Sequence, residues 1–373
     1  MKKLMLILVP ALLALAACTG KQSGTGGHAA AAGDTLTTRS RLLRLVKHPL
    51  YTVAEVTNPW DTTRLLGRYV LAAADVPADS LPVSPVSTVV RTPLKTSLVY
   101  SGVHAGAVDE LGRLGAITAV TDAQYFNNPR IRAAIAAGRI RDVGSAMSPS
   151  VERIVEINPG AILLSPYENS GHGAIEALQI PIIEMADYME STPLGRAEWI
   201  KLLGELYGEA ERADSIFRAV EQTYNSLAAR VKDAERPMVI TEQSLSGVWA
   251  MPGGGSYMAR MLADAGATYP WAADRSAGSI ELSPAAVLDK AHDAEFWFIR
   301  SYGPLTLQNL ADNNAVNSSF AAFRKDNVFV CNTAESALFE EFPFHPELLL
   351  ADFITALHPG LSDRPLRYYC RAE

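Results

Sequence analysis

The sequence predicts an α/β protein of two Rossmann-like lobes bridged by a long rigid helix, with a β appendage on the N-terminal side. Three observations lead there. Short apolar strands alternate with helices in two separate stretches, the grammar of βαβ units and a mostly parallel sheet. Roughly forty residues of helical pattern stand between the stretches. Each stretch also uses Ser-Pro to open a helix that leads through a polar turn to an apolar strand, SPSVERIVEINPGAILL from Ser148 and SPAAVLDKAHDAEFWFI from Ser283.

Taken in order, the chain begins with the three zones of a secretory signal. Lys2 and Lys3 are basic, Leu4 to Ala17 are apolar apart from Pro10, and small residues close the run. The run is too short to span a bilayer. Its end, Leu15-Ala16-Ala17-Cys18, resembles the lipobox of bacterial lipoproteins. That implies removal of the signal in residues 1–18 and lipidation of Cys18; an ordinary signal peptide with an incidental cysteine is the plainer alternative. Residues 19–34, TGKQSGTGGHAAAAGD, lack apolar periodicity and read as a flexible tether.

Residues 35–88 read as the β appendage. LLRLVKHPLYTVAEVTNPW and RLLGRYVLAAAD are rich in β-branched and aromatic residues, and a proline-punctuated extended segment follows. Residues 89–193 form the N-lobe, with strands at LVYS, ITAVTD, DVG, AILLSPY and PIIEMADY and helices between them, AIEALQ included. Residues 194–235 hold the connecting helices. Thr192 is placed as N-cap with Pro193 at the first helical position, and Gly208 as a terminator. A second helix, from Glu209 to about Lys232, sets Ile216, Val220, Tyr224, Leu227 and Val231 on one face. Residues 236–373 form the C-lobe, with strands at PMVITEQ, VWAMPGG, AEFWFIRS and NVFVC and a closing helix in PELLLADFITALH.

Composition removes several functions. Net charge is −7 and the basic residues are dispersed, so there is no electrostatic footprint for nucleic acid. Neither a Gly-x-Ser-x-Gly elbow nor a His-Glu-x-x-His pair occurs, and GGGSYM lacks the lysine of a phosphate-binding loop. No catalytic residue and no cofactor is therefore assigned, although a hydrolytic group assembled only by the fold stays open as an alternative. Cys331 and Cys370 pair in an oxidising compartment or stand as two buried thiols; the spacing leaves both open.

The order of VDELGRLGAITAVTD, DVGSAMSPSVERIVEINPGAILLSPY, LQIPIIEM and GGGSYMARMLADAGATYP resembles the iron-chelate and cobalamin type of periplasmic substrate-binding protein, the receptor of ABC importers. The resemblance covers roughly residues 89–358. It implies a monomer that catalyses nothing and captures cobalamin, haem or a ferric siderophore between its lobes. It implies delivery to an ABC permease in the inner membrane, from a periplasm-facing position in the cell envelope where lipid on Cys18 anchors the protein. In the family a carboxylate on each lobe docks onto permease arginines. Glu152 matches the N-lobe position, whereas the C-lobe position holds Ala285, with Glu281 and Asp289 nearby. Glu152 also has a plain reading, as a first-turn acid favoured by the helix dipole.

Ligand between two such lobes meets the loops at the carboxyl ends of the strands. Those loops nominate Tyr100, Ser101, His104, Tyr125, Tyr167 (with Glu168) and Tyr188 on the N-side. On the C-side they nominate Trp249 (with Gln243 and Met251), Arg300, Tyr302 and Asn332. Aromatics dominate, which suits a large planar or corrin-like ligand, whereas an anionic siderophore would favour clustered arginines. Any one of these residues could instead be packing, Trp249 above all. A small-metal receptor needs three or four converging His, Asp or Glu, and the seven histidines are scattered, so no metal ligand is assigned. Arg196 and Glu198 are expected to form a lobe-bridging salt bridge, and Phe339, Phe342, Phe344 and His345 to pack before the last helix.

Overall fold

A computed structural model describes residues 33–362 and 364–373. Cys18 and residues 19–32 of the tether lie outside the described residues. Strands β1 (Asp34–Thr35), β2 (Leu43–Lys47), β3 (Tyr51–Thr57), β4 (Leu65–Ala73) and β5 (Ser87–Thr92) form one sheet in that order, antiparallel except for the parallel β4–β5 pair. Alternation sends Leu43, Leu45, Tyr69 and Leu71 into the neighbouring lobe's core, while Val70 and Ala72 pack under Leu81 on the other face. The sheet therefore runs past residue 88 to Thr92, because the β-branched run in STVVRT pairs along β4.

Next come β6 (Ser97–Val99), α1 (Gly102–Glu110), β7 (Ile117–Val120), α2 (Pro129–Ala136) and β8 (Arg141–Asp142). A short hairpin of β9 (Gly144–Ser145) and β10 (Ser148–Pro149) precedes α3 (Val151–Ile157), β11 (Ile162–Leu164) and β12 (Ile182–Glu184). The parallel sheet has the order β12-β11-β6-β7-β8. The chain builds outward from β6 to β8 and then crosses to the other side for β11, so the order reverses between β6 and β11. AIEALQ is no α-helix; Gly173–Leu178 is a 3-10 stretch.

The connection is α4 (Pro193–Ala197), α5 (Ile200–Tyr207) and α6 (Ala210–Arg230). Thr192 caps α4 by accepting the Gly195 N–H, and Gly208 ends α5 at φ 75°, a left-handed geometry that favours glycine. Ala213, Phe217 and Val220 of α6 lie in the N-lobe core, whereas Tyr224 and Leu227, with Val231 just beyond, lie in the C-lobe core. One apolar stripe thus enters both cores. Phe217 belongs to it, and Ile216 is only half-buried beside it.

The C-lobe contains β13 (Val239–Thr241), β14 (Ser244–Leu245), β15 (Val248–Pro252), α7 (Tyr257–Asp264), β16 (Ser279–Leu282), α8 (Pro284–Ala291) and β17 (Phe296–Ser301). It continues through α9 (Leu307–Asn313), α10 (Ala321–Arg324), β18 (Val328–Asn332), α11 (Leu338–Glu341), α12 (Pro346–Leu357) and β19 (Cys370–Arg371). Strands β13, β17 and β18 are parallel and β19 closes the edge antiparallel; β14-β15-β16 is a separate antiparallel sheet. VWAMP therefore belongs to that small sheet, not to the parallel one.

Two expectations need correction here. Trp249 is no ligand contact: it is 0% exposed, stacks on Trp297 at 5.5 Å, and donates its Nε1–H to the Thr241 carbonyl at 3.0 Å. Glu198 is no lobe bridge either. Its fully buried carboxylate accepts the backbone N–H groups of Thr38, Arg39 and Ser40 at 3.0, 2.7 and 2.8 Å and pairs with Lys201 at 3.3 Å. Glu190 does the same for Arg41 and Leu42 and also accepts from Trp199 Nε1 and the Ser40 hydroxyl. The two carboxylates tie the β1–β2 loop to the connecting helices. Arg196 does reach across, by stacking: it pairs with Asp187 at 3.0 Å while its guanidinium lies 4.9 Å from the Tyr257 ring and 5.4 Å from the Phe342 ring.

Cys331 and Cys370 are both free thiols. Cys370 sits opposite Val330 in the β18–β19 pair, so alternation turns Cys331 to the other face of the sheet.

Glu198→Ala should lower unfolding stability by roughly 1–3 kcal/mol, because it leaves the part-buried N–H groups of Thr38, Arg39 and Ser40 without their acceptor. Denaturant titration reads the loss, and amide exchange should rise first in residues 34–47. Trp249→Ala should cost ~3–5 kcal/mol through the cavity it leaves; a thermal melt like the wild type would contradict its place in the core.

Candidate functional site

The reversal between β6 and β11 leaves a crevice at the carboxyl ends of the strands, the position where open parallel sheets bind ligands. A cavity of about 460 Å³ lies there, within the ~300–1,000 Å³ usual for small-molecule sites. β6 leads to Tyr100 and Ser101, β7 leads to Thr121, Asp122, Tyr125 and Phe126, and β11 ends at Leu164 and leads to Pro166 and Tyr167. The β9–β10 hairpin adds Met147, and the loop before the 3-10 stretch adds Gly171, His172 and Gly173. Every lining residue falls between 100 and 175, and none is Lys or Arg.

Its surface is aromatic and open. Tyr125, Met147 and Tyr167 are 63%, 84% and 64% exposed, an unusual concentration of large apolar side chains left to solvent. At the centre, the Tyr100 hydroxyl is buried without a hydrogen-bond partner, and burial pushes its pKa up to about 12. It stays a neutral donor. Asp122, in left-handed geometry at φ 49°, accepts the Ala146 N–H at 2.8 Å and so fixes the hairpin against β7.

The cavity thus gathers Tyr100, Ser101, Tyr125 and Tyr167, with Ser101 also capping α1 through the Val103 N–H. It does not gather the rest. His104, a residue of α1, is buried and absent from the cavity lining, its Nε2 2.8 Å from Asp187 Oδ1. Burial opposes ionisation of Asp187, but His104 and Arg196 outweigh it and hold the carboxyl below its ordinary range. Tyr188 spends its hydroxyl on the Pro166 carbonyl at 2.6 Å, bracing the cavity loop from behind. Arg300 is no free cation for a ligand, since it pairs with Glu242 (Nε to Oε1, 2.7 Å) and lies over the Phe339 ring. Met251 is core, and Asn332 accepts the Gly303 N–H. Tyr302 is 76% exposed and lies outside the cavity lining.

Sequence reasoning passed over His172. It stands between Gly171 and Gly173, the latter at φ 61°, and its Nε2 lies 3.1 Å from Glu184 Oε1. The Glu184 bond is the main cause of its raised pKa, against partial burial. Nδ1 has no hydrogen-bond partner among the described residues. A histidine held between glycines, on a loop after an apolar strand, was the available signal.

Glu152, outside the cavity but two residues into α3, is fully exposed. Its own backbone N–H and the Ser150 hydroxyl lower its pKa, so it presents a fixed negative charge. Among the described residues no group of three or more His, Cys, Asp and Glu is placed to hold a metal ion, and no helix is long and apolar enough to cross a membrane.

Solved structures share this fold at low sequence identity. A periplasmic haem-binding protein from Pseudomonas aeruginosa aligns with TM-score 0.59 and 17% identity, over 75% of this chain and 98% of its own. An ABC-type Fe3+-hydroxamate transport protein from Saccharomonospora viridis gives 0.57 and 16%, over 71% and 94%. The molybdate-binding protein of Haemophilus influenzae gives 0.59 and 17%, over 72% and 88%. Two uncharacterized lipoproteins of Methanocaldococcus jannaschii are 27% identical over 240 residues and 24% identical over 261. The matches cover 63% and 66% of this chain but only 56% and 65% of those relatives. The periplasmic binding protein profile matches residues 99–334, from the end of β6 to just past β18, and the chain belongs to that family.

Proposed function

We propose that this protein is the substrate-binding component of an ABC importer and not an enzyme. It takes a bulky metal chelate, a cobalamin, a haem or a ferric siderophore, at the N-lobe cavity, in place of the cleft between the lobes that the resemblance implies, and carries it to a permease. The observation that carries this reading is the cavity itself: an aromatic crevice at the strand-order reversal, with one buried, unpartnered tyrosine hydroxyl and no Lys or Arg in its lining. Aromatic faces contribute contact area at small rotamer cost. A wall without cations favours a tetrapyrrole over an anionic siderophore, which would call for arginines.

His172 supports a ligand that contains metal. An imidazole whose other nitrogen is bonded to a carboxylate is oriented and made more basic, the usual setting of a metal-binding histidine. One histidine does not make a site for a bare ion, so the small-metal reading ranks second. The haem, hydroxamate and molybdate ligands belong to the structural relatives, and their range leaves the cargo to experiment.

Anchoring through Cys18 gives such a receptor a purpose for its tether. Confinement to the membrane raises the effective concentration at the permease, while residues 19–34 leave the body free to dock. Glu152, exposed and negative, is the docking carboxylate on the N-lobe. On the C-lobe Glu281 in β16 and Asp289 in α8 stand near Ala285.

Titration of residues 35–373 with cyanocobalamin, haemin and ferric siderophores, followed by tryptophan fluorescence and calorimetry, should give one-to-one binding of one of them. Tyr167→Ala should then weaken that ligand by roughly 5- to 30-fold, ~1–2 kcal/mol, with an unchanged melt. Full affinity in that variant would remove Tyr167 from the site. Glu152→Ala should bind as the wild type does and transport poorly in a cell-based uptake assay; normal uptake would return it to a helix-capping acid.

A further inference from the structure

Beyond the ligand cavity, the seam between the lobes contains a carboxyl group with an unusual setting. α11 of the C-lobe lies on α1 of the N-lobe, and Glu340 is the residue at the contact. Two glycines make the approach possible. A side chain at Gly102 would come within 3.1 Å of the Glu340 carboxyl, and one at Gly106 within 3.1 Å of its carbonyl oxygen. Glu340 Oε1 accepts the Asn127 N–H at 2.8 Å, while the buried Oε2 has no partner. The Asn127 side chain returns the contact, donating to the Thr333 and Ser336 carbonyls at 3.1 Å each. Tyr125 and Phe126, immediately before Asn127, wall the ligand cavity.

We propose that Glu340 is a proton-linked positioning residue, whose protonated side chain seats α11 on α1 and, through the Asn127 amide, holds the 125–128 wall of the ligand cavity.

The charges around it fit that role. Arg132 of α2 is the cation that acts on Glu340, and Glu341 on its own helix acts against it. Asp109 and Glu110 of α1 share the crevice, but Asp109 is paired with Arg130 at 3.3 Å and Glu110 with His345 at 2.8 Å. Glu341 is paired with Arg367 at 2.8 Å. Burial would lower the pKa of His345, but its hydrogen bonds to the Glu110 and Glu347 carboxylates overcome that and raise it to about 10, so it remains charged through neutrality. Glu340 alone lacks a close cation, and burial raises its carboxyl from 4.5 to about 7. An undocked, hydrated carboxyl keeps the ordinary value. The docked state therefore holds the extra proton: its advantage is complete below about pH 4.5 and is lost as pH rises through about 7.

Hydrogen exchange of the ligand-free protein, read by mass spectrometry on peptides spanning 121–130 and 333–345 and corrected for the intrinsic pH dependence, tests this. Wild-type protection should fall by up to tenfold per pH unit between about pH 4.5 and 7 and level off above that, and Glu340→Gln, which cannot lose a proton, should show no such fall. Parallel courses in the two proteins overturn the proposal. Should Glu340→Gln not fold, the wild type decides: protection that is flat from about pH 4.5 to 7 overturns it equally. No ligand enters the test, so its outcome is separate from that of the receptor reading.

Discussion

Everything else in this molecule is arranged around one helix that belongs to two cores. The 21 residues of α6 span roughly 30 Å, and its apolar stripe passes from Phe217 and Val220 in the N-lobe to Tyr224 and Leu227 in the C-lobe without a break. Changing the angle between the lobes about this helix would pull one end of the stripe out of its core. Phe344 adds a second tie. It follows α11, whose Leu338 is in the C-lobe core, yet its ring is buried in the core of the N-lobe. Arg196, between Asp187 and two C-lobe rings, is a third. Ties at three points oppose a hinge-like change of the angle between the lobes.

That constraint explains why the cavity belongs to one lobe. With the lobes fixed, the aromatic wall is formed where the strand order of the N-lobe reverses, and the supporting residues stand behind it. Tyr188 braces Pro166, and Asp122 pins the β9–β10 hairpin. The appendage sheet contributes from farther away, since Tyr69 of β4 donates its hydroxyl hydrogen to no acceptor on β12 but accepts the Glu184 N–H at 2.9 Å. Glu184 in turn orients His172. A strand outside the family-matched segment thereby reaches the site through two hydrogen bonds.

Much of this was legible in the sequence. Strand and helix alternation, the Thr192-Pro193 start, the Gly208 stop and the spacing of Val220, Tyr224 and Leu227 are local patterns, and local physics settles them. Four of the thirteen nominated contacts, Tyr100, Ser101, Tyr125 and Tyr167, line the cavity. The misses share a cause. A position after a strand says that a residue is near a loop, not which way its side chain turns or what already occupies it. Trp249 turned into a stack with Trp297, His104 met Asp187, and Arg300 met Glu242. Each partner lies tens of residues away, and the sequence carries no sign of the pairing. VWAMP failed similarly, because a strand pattern does not name the sheet it joins.

The buried acids show how far partners outweigh burial. Asp187 and Glu340 are both withdrawn from water beside α1, and for both the largest influence on ionisation is that withdrawal. Their carboxyls nevertheless shift in opposite directions. Asp187 has His104 at 2.8 Å and Arg196 at 3.0 Å, and the two reverse the cost of burial. Glu340 has backbone N–H groups and a more distant Arg132, which do not. A carboxylate bonded to an arginine and a histidine keeps its charge and serves as structure. One that has only amide donors sits near the balance point between its two forms, so the same kind of side chain, one helix face away, becomes the responsive element of the seam.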